Sequence, residues 1–420
     1  MTSDRKHRAE PHSRGAPPRT RRTWLALGAS ACVATVVAAC GGSDAPTLEE
    51  TLAAEGKQIF RYDTFGDEVF WTDTLKMNEV IAAKVDPATA LSVGLKVDAE
   101  ALPPAVVAGV KDGSISLTDP ATTLELLKLD AVIGLKGTFD SVGKLAKVGI
   151  TCALCHSTVD DSDSFAKGIG KRLDGWPNRD LDPGLIISLS PAVAANAQLK
   201  AEFQSWGKGK FDPRHNVDGI SNPVVIPPAY GLAGIHKITF TGDGDEVAYW
   251  NRYVSVVEMG GVGTMSEPRL NPPLDVNHIP PGGQDLVSSK LPALQAYQLT
   301  LAAPPAPAGS FDTAMAARGK LVFEGAGQCF TCHSGASFTD ANSLLHPPED
   351  SAAADTSYAA RTATKQYRTS PLKGVWQHKP YFHDGSAATL EDVVTAYNTK
   401  RSLGLSSTDV KDLAEYLKSL

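Results

Sequence analysis

Two five-residue stretches carry the chemistry of this 420-residue chain. Cys152-Ala153-Leu154-Cys155-His156 and Cys329-Phe330-Thr331-Cys332-His333 both read C-x-x-C-H, the attachment sequence of c-type haem. Two thiols spaced by two residues reach the two vinyl groups of one porphyrin, and the adjacent imidazole turns onto the iron. The plain alternative is a redox dithiol or half a zinc site that happens to precede a histidine. At this chain's Cys and His frequencies, one chance match has a probability of roughly two in a thousand. Two matches point to two covalently bound haem c groups, with His156 and His333 as the proximal axial ligands. The other two of the six cysteines, Cys32 and Cys40, lie near the N-terminus, so no pair remains for a disulfide in the mature chain.

The elements that must position these motifs begin after an export signal over residues 1–39. Arg14, Arg19, Arg21 and Arg22 precede an apolar run from Trp24 to Ala39 that is short for a membrane span. The run ends in Val37-Ala38-Ala39-Cys40, which resembles a bacterial lipobox. Cleavage there leaves Cys40 to be acylated and residues 40–47 as a tether. An ordinary signal peptide with an incidental cysteine is the alternative. Thr20-Arg21-Arg22-Thr23-Trp24-Leu25 also resembles a twin-arginine signal, but chains that receive c-type haem usually cross the membrane unfolded. Either route predicts a location in the periplasm or on the outer face of the cytoplasmic membrane, with a lipid anchor at Cys40. The net charge is −7, and without residues 1–39 it becomes −12, from 33 Lys/Arg against 45 Asp/Glu. That acidity argues against nucleic acid and for a small redox protein as partner; simple solubility explains it equally well.

An internal repeat orders the rest. Ala53-Ala54-Glu55-Gly56-Lys57-Gln58-Ile59-Phe60 matches Ala316-Ala317-Arg318-Gly319-Lys320-Leu321-Val322-Phe323. In the second copy the haem motif starts six residues after Phe323, as after the first helix of a small cytochrome c; in the first it starts 92 residues after Phe60. Residues 61–150 therefore read as an insertion, with helical runs around Thr74–Lys84 and Ala121–Leu129. Pro228-Ala229-Tyr230-Gly231-Leu232 and Phe240 parallel Pro371-Leu372-Lys373-Gly374-Val375 and Phe382. Each copy closes with an amphipathic helix, Leu291–Leu299 and Val410–Leu420, the latter with Leu413, Leu417 and Leu420 on one face. The Pro/Ala stretch at 304–310 reads as a stiff linker. The expected fold is mainly α: two cytochrome c-like haem domains, at 48–303 and 311–420, the first enlarged by the insertion.

Pro380-Tyr381-Phe382-His383-Asp384-Gly385-Ser386, followed by Thr389-Leu390-Glu391-Asp392-Val393-Val394, resembles the second domain of the bacterial dihaem cytochrome c peroxidases. It equally resembles their MauG-like relatives and the dihaem rubber oxygenases. The resemblance is tight over roughly 311–420 and loose in the first domain. It implies a division of labour, in which peroxide binds at an open first-domain haem and the second haem relays electrons. The chemistry agrees, because an iron with both axial sites filled passes electrons but cannot bind peroxide.

The candidate sixth ligands are therefore the informative residues. No methionine follows His333, which excludes a His/Met haem built within the second domain. Where the peroxidases place a ligand Met, about 14 residues after the histidine of Phe-His-Asp-Gly, this chain has Tyr397, as in the MauG-like branch. A tyrosine packed on the haem-domain helix is the alternative, and His346 and His378 are lesser candidates. His383, beside Asp384, reads as a histidine bonded to a carboxylate or as an active group. For the first haem no histidine follows His156 until His215; Arg172 stands roughly where the near-motif ligand of many peroxidases would be. This favours a five-coordinate iron, with His215, His236, Met259 and Met265 as residues that could swing in.

Val257-Glu258-Met259-Gly260 resembles the segment carrying the family's distal glutamate. Cleavage of a peroxide needs a group that carries a proton to the leaving oxygen, and a desolvated carboxyl suits that task. Glu258 is thus the catalytic candidate, against a surface glutamate at a helix end. The family's distal glutamine has no evident counterpart. The inter-haem tryptophan is absent from Phe240-Thr241-Gly242-Asp243-Gly244, with Trp176, Trp206 or Trp250 as substitutes. A calcium ion between the domains is a further family feature, for which Asn222 is the candidate here; Asp243 and Asp245 read equally as a plain turn. The expected activity is reduction of hydrogen peroxide at the His156 haem, with electrons from a small cytochrome or cupredoxin relayed through the His333 haem. The rivals are a pure electron-transfer cytochrome and an oxygenase whose pocket the insertion shapes.

Overall fold

A computed structural model describes residues 46–162, 164 and 166–420 of the chain. The stretch expected to be an export signal, with Cys32 and Cys40, lies outside these residues. Helices hold 42 % of the residues and strands 11 %, so the chain is mainly α, as its periodicity suggests. Among the described residues no helix is long and apolar enough to cross a membrane.

Each half of the molecule is built on two helices that cross at a glycine. In the first, Leu48–Tyr62 starts at a capping box between Thr47 and Glu50 and packs on Leu291–Thr300. A Cβ on Gly56 would lie 1.8 Å from the Ala293 carbonyl oxygen, so only glycine permits this approach. One turn on, Phe60 is fully buried and meets the Tyr297 ring edge-on at 5.5 Å. The second half repeats the arrangement. Thr313–Glu324 crosses Ser407–Lys418; a Cβ on Gly319 would lie 1.9 Å from the Asp412 carbonyl oxygen, and buried Phe323 meets Tyr416 at 5.2 Å. The repeated Gly-x-x-x-Phe is thus a packing device: the glycine sets the distance and the aromatic ring fills the angle beyond it.

The stretch from 61 to 150 carries the helices Met77–Lys84 and Pro120–Lys128, close to where they were expected. It also carries a hairpin that the helical reading missed: Leu135–Phe139 pairs antiparallel with Leu145–Ile150, Leu135 opposite Ile150. The hairpin delivers the chain directly into Cys152. On the far side of the motif, Ser157–Asp160 pairs with Ile169–Asp174, and the latter pairs in parallel with Val97–Asp98. The first motif therefore sits between two short sheets that fix its entry and exit. Asp174 fastens this frame to both long helices, accepting from Ser157 Oγ at 2.8 Å, Arg61 Nε at 2.6 Å and the Tyr297 hydroxyl at 2.5 Å.

The two halves meet along a polar seam. Arg361 of the second reaches Asp212 at 2.9 Å and Asp218 at 2.8 Å in the first. The backbone N–H of Val225 donates to the His383 carbonyl at 2.7 Å. The Trp376 indole N–H donates to the carbonyl of Pro304 at the start of the Pro/Ala stretch, at 3.3 Å.

Because Gly319 has backbone rather than a flexible side chain opposite it, Gly319→Ala is expected to lower stability by about 1–3 kcal/mol, the range for overpacking a tight contact. Urea unfolding of the haem-loaded protein measures this. An unchanged midpoint would show that the crossing is looser than 1.9 Å implies.

Candidate haem sites

Each C-x-x-C-H stretch opens onto its own apolar cavity. The first, about 370 Å³, is walled by Cys152, Cys155 and His156, by Trp250, Val254, Glu258 and Met259, and by Phe70, Trp71 and Leu75 from the inserted stretch. The second, about 260 Å³, is walled by Cys329, Cys332 and His333, by Tyr397, and by Phe382, Val394 and Leu413.

The two motif histidines are held in the same way. His156 Nδ1 lies 3.1 Å from the Pro227 carbonyl oxygen, and His333 Nδ1 lies 3.0 Å from that of Phe338. A ring whose Nδ1–H is donated to a carbonyl keeps its lone pair on Nε2, the arrangement of a metal-ligating imidazole with its outer-shell partner. Burial holds both rings neutral, pushing His156 down to about 4 and His333 down as well. The thiols fit the same use. Burial raises Cys152 and Cys155 to about 12 and Cys329 to about 11. A redox dithiol or a zinc thiolate needs the opposite shift. The one cluster of metal-ligand type among the described residues, Cys332 with Asp340 and His346, spends a thiol of the second motif and has His346 Nε2 already paired with Asp340 at 3.0 Å. Apolar cavities, neutral tethered imidazoles and protonated thiols on their walls fit haem c.

Glu258 ends a π-helical turn, Val254–Glu258, that continues the helix Val247–Tyr253; such turns often mark functional positions. Its partial exposure opens onto the first cavity. Oε1 is buried without a hydrogen-bond partner. Burial raises the carboxyl to about 8, with Arg214 opposing the shift and Asp212 adding to it. At neutral pH the group therefore holds its proton. Met259 borders the same cavity and is buried, with its carbonyl accepting from the Trp71 indole at 3.0 Å. His215 also borders it, its Nε2 held by Glu202 at 2.8 Å. His236 and Met265 do not line it, and neither does Arg172, which is spent on Asp98 at 3.1 Å and the Tyr62 ring.

Tyr397 faces the second cavity from the helix Leu390–Lys400, which starts at a capping box between Thr389 and Asp392. Burial raises its hydroxyl, and Cys332 and Cys329 lie within electrostatic reach. His378 and His383 line this cavity too, but both are engaged. His378 Nε2 lies 2.8 Å from the Tyr230 hydroxyl, and His383 Nε2 lies 2.9 Å from that of Tyr367. The His383 ring thus pairs with a phenol rather than with Asp384, whose carboxylate accepts from the backbone of Asp355 and Ser386.

The residues named for calcium are arranged for something else. The Asn222 amide donates to Asp355 at 3.1 Å and to Ser357 at 3.0 Å. Asp212 and Asp218 beside it are held by Arg361, Asp243 by Arg214, and Asp245 by Lys237. These carboxylates are thus each spent on a cation of the chain itself. Of the tryptophans, Trp250 and Trp206 line the first cavity, whereas Trp176 packs on Trp376 at 5.7 Å. Several polar residues on the cavity walls carried no sequence signal: Asn216, Gln298, Arg179 and Arg368. They sit outside any motif, and only the fold brings them to the cavities.

Residues 366–402 match the model of the RoxA-like, cytochrome c-like family. This stretch holds His378, His383 and Tyr397, and the match supports the resemblance to the dihaem peroxidase and MauG-like superfamily. Among solved structures, a MauG-like protein associated with microbial copper homeostasis is 20 % identical over 31 % of this chain and 56 % of its own, with a TM-score of 0.25. The chain thus spans little more than half of that protein. Hydrazine synthase of Kuenenia stuttgartiensis is 19 % identical over 51 % of this chain and 74 % of its own, with a TM-score of 0.32. No curated protein matches. Fold and motifs, with this short family match, describe a mainly α chain with two haem c attachment sequences, each on an apolar cavity, and a cytochrome c-like stretch at 366–402.

Replacing His333 by Met should leave the thioether bonds, and so the mass of attached haem, unchanged while altering the ferric spectrum of one haem. Absorption and electron paramagnetic resonance spectra check this; an unaltered spectrum would remove His333 as a ligand.

Proposed function

We propose that this protein is an extracytoplasmic dihaem oxidoreductase that reduces hydrogen peroxide to two molecules of water. Two electrons come from a small cytochrome or cupredoxin, and two protons are consumed. The observation that carries the reading is Glu258, a protonated, unpartnered carboxyl on the wall of the cavity that holds His156. The haem iron, when bound, supplies the seat for peroxide and the path for electrons. Glu258 holds a proton inside an apolar cavity, at an oxygen that spends it on no protein partner. The proton is thus free to pass to a leaving oxygen. Asn216, its Nδ2 donating to the Val257 carbonyl at 3.0 Å, keeps the turn that carries Glu258 in place. His156 keeps its imidazole neutral and aimed through the Pro227 tether.

The donor would approach the second motif, where Phe330 is half exposed beside Cys329. Tyr397 lines that cavity; as the sixth ligand it would leave the second haem to pass electrons rather than bind peroxide. The acidic mature chain and the export signal support a basic or neutral partner and a lipid anchor at Cys40. A second reading, an oxygenase acting on an organic compound, draws on the inserted stretch, because Phe70, Trp71 and Leu75 widen the first cavity with apolar surface.

The test is low-temperature electron paramagnetic resonance of the oxidised, haem-loaded protein, with peroxide addition followed optically. A high-spin signal from one haem, lost on stoichiometric peroxide, is expected. Two low-spin haems indifferent to peroxide would make the protein an electron carrier, with Met259 as the ligand that closes the first iron. Dioxygen consumption without peroxide would favour the oxygenase. Glu258→Gln should slow peroxide turnover by roughly 10²–10⁴-fold, the usual share of a proton-transferring group, with haem content unchanged. Tyr397→Phe should convert the second haem towards high spin, which the same spectra record.

A further inference from the structure

Five buried or half-buried arginines fall into two groups. Arg172 is paired with Asp98, Arg214 with Asp243, and Arg361 with Asp212 and Asp218. Arg179 and Arg368 have no carboxylate partner. Arg179 spends Nη2 on the His378 carbonyl at 2.9 Å, leaving Nε and Nη1 without acceptors. Arg368 spends its backbone N–H on the Phe240 carbonyl at 2.9 Å and Nη1 on the Lys237 carbonyl at 2.6 Å, leaving Nε without one. Burial lowers both guanidiniums to about 10, which still leaves them charged at neutral pH. A guanidinium whose buried nitrogens lack acceptors is costly to leave unpaired, so both side chains are suited to receive an anion.

The place of these residues shows where the anion comes from. Both line the cavity of His333, and Arg368 also lines the cavity of His156; Pro228 is the other residue on both walls. The two cavities thus share a partition, and a cation sits in it. Haem carries two propionate carboxylates, the acceptor that a planar guanidinium engages through parallel N–H groups.

We propose that Arg368 holds a propionate from each haem, fastening the two cofactors to one guanidinium, and that Arg179 holds the remaining propionate of the His333 haem. The Lys237 and Phe240 carbonyls act as positioning groups that aim Arg368 from behind. A cation in the wall shared by the two cavities would favour the reduced state of a haem in either and give the two a common electrostatic setting. This rests on both cavities holding haem and is independent of whether peroxide is the substrate.

The test is spectroelectrochemical titration of both haems in Arg368→Gln, Arg368→Lys and Arg179→Gln. Haem attachment by mass in the same samples tests the two-haem premise separately, since the thioether bonds do not involve either arginine. Arg368→Gln should shift the reduction equilibrium of both haems about tenfold towards the ferric state, about 59 mV for a one-electron couple. Arg179→Gln should shift only the His333 haem. Arg368→Lys, which keeps the charge but not the fork, should move both midpoints by less and alter the propionate-bending bands in the resonance Raman spectrum. Midpoints unchanged in Arg368→Gln, or only one of them shifted, would overturn the bridge. If the Gln variant does not accumulate, a Lys variant with parental midpoints and parental propionate bands overturns it equally.

Discussion

The approach of two helices to within backbone contact is the constraint on which each half of this molecule depends. At Gly56 and at Gly319 a carbonyl of the partner helix occupies the space where any other residue would carry a Cβ. That contact fixes the distance between the first and last helices of each half and so the frame from which the haem motif is hung. In the second half the motif follows within a few residues, so the frame acts on it directly. In the first the chain leaves the frame for some ninety residues (61–150), and the burden of placing the motif passes to the two small sheets on either side of it. Asp174 then ties these sheets back to Arg61 and Tyr297 on the two crossing helices. One architecture is reached by two routes, one by proximity in sequence and one by a polar hub.

Much of this was legible in the sequence because it is periodic or covalently dictated. The haem motifs announce themselves by spacing, and the repeated Gly-x-x-x-Phe is readable because both copies solve the same packing problem. The helices at Met77–Lys84, Pro120–Lys128 and Leu291–Thr300 follow from their apolar spacing and their proline or acidic starts. The hairpin Leu135–Ile150 was illegible because Lys136-Gly137-Thr138 and Lys147 break any clean alternation. Its inward side is set by the Thr72 hydroxyl, which bridges the Val148 N–H and carbonyl from a distant turn.

The sites divide in the same way. Cys152, Cys155, His156 and their second-half equivalents stand out in the sequence by spacing alone, and the fold sets each trio on a cavity wall. Glu258 and Tyr397 were readable through resemblance, and the fold sets both on cavity walls. What the sequence hides is the second shell. Pro227 and Phe338 orient the proximal rings through carbonyl oxygens, which every residue type possesses. His383 finds a phenol in place of the adjacent carboxylate, because Asp384 is turned onto the backbone of Asp355 and Ser386. Backbone acceptors and long-range partners leave no mark on composition or spacing.

The seam at Arg361 has a consequence of its own. Where two domains are joined through a divalent ion, their alignment varies with the supply of that ion, and a chelator or an acidic medium can loosen it. Here the acidic pair Asp212 and Asp218 is neutralised by a guanidinium that is part of the chain and stays charged under any physiological condition. The seam thus carries its own counter-charge, and these two carboxylates call on no ion from solution.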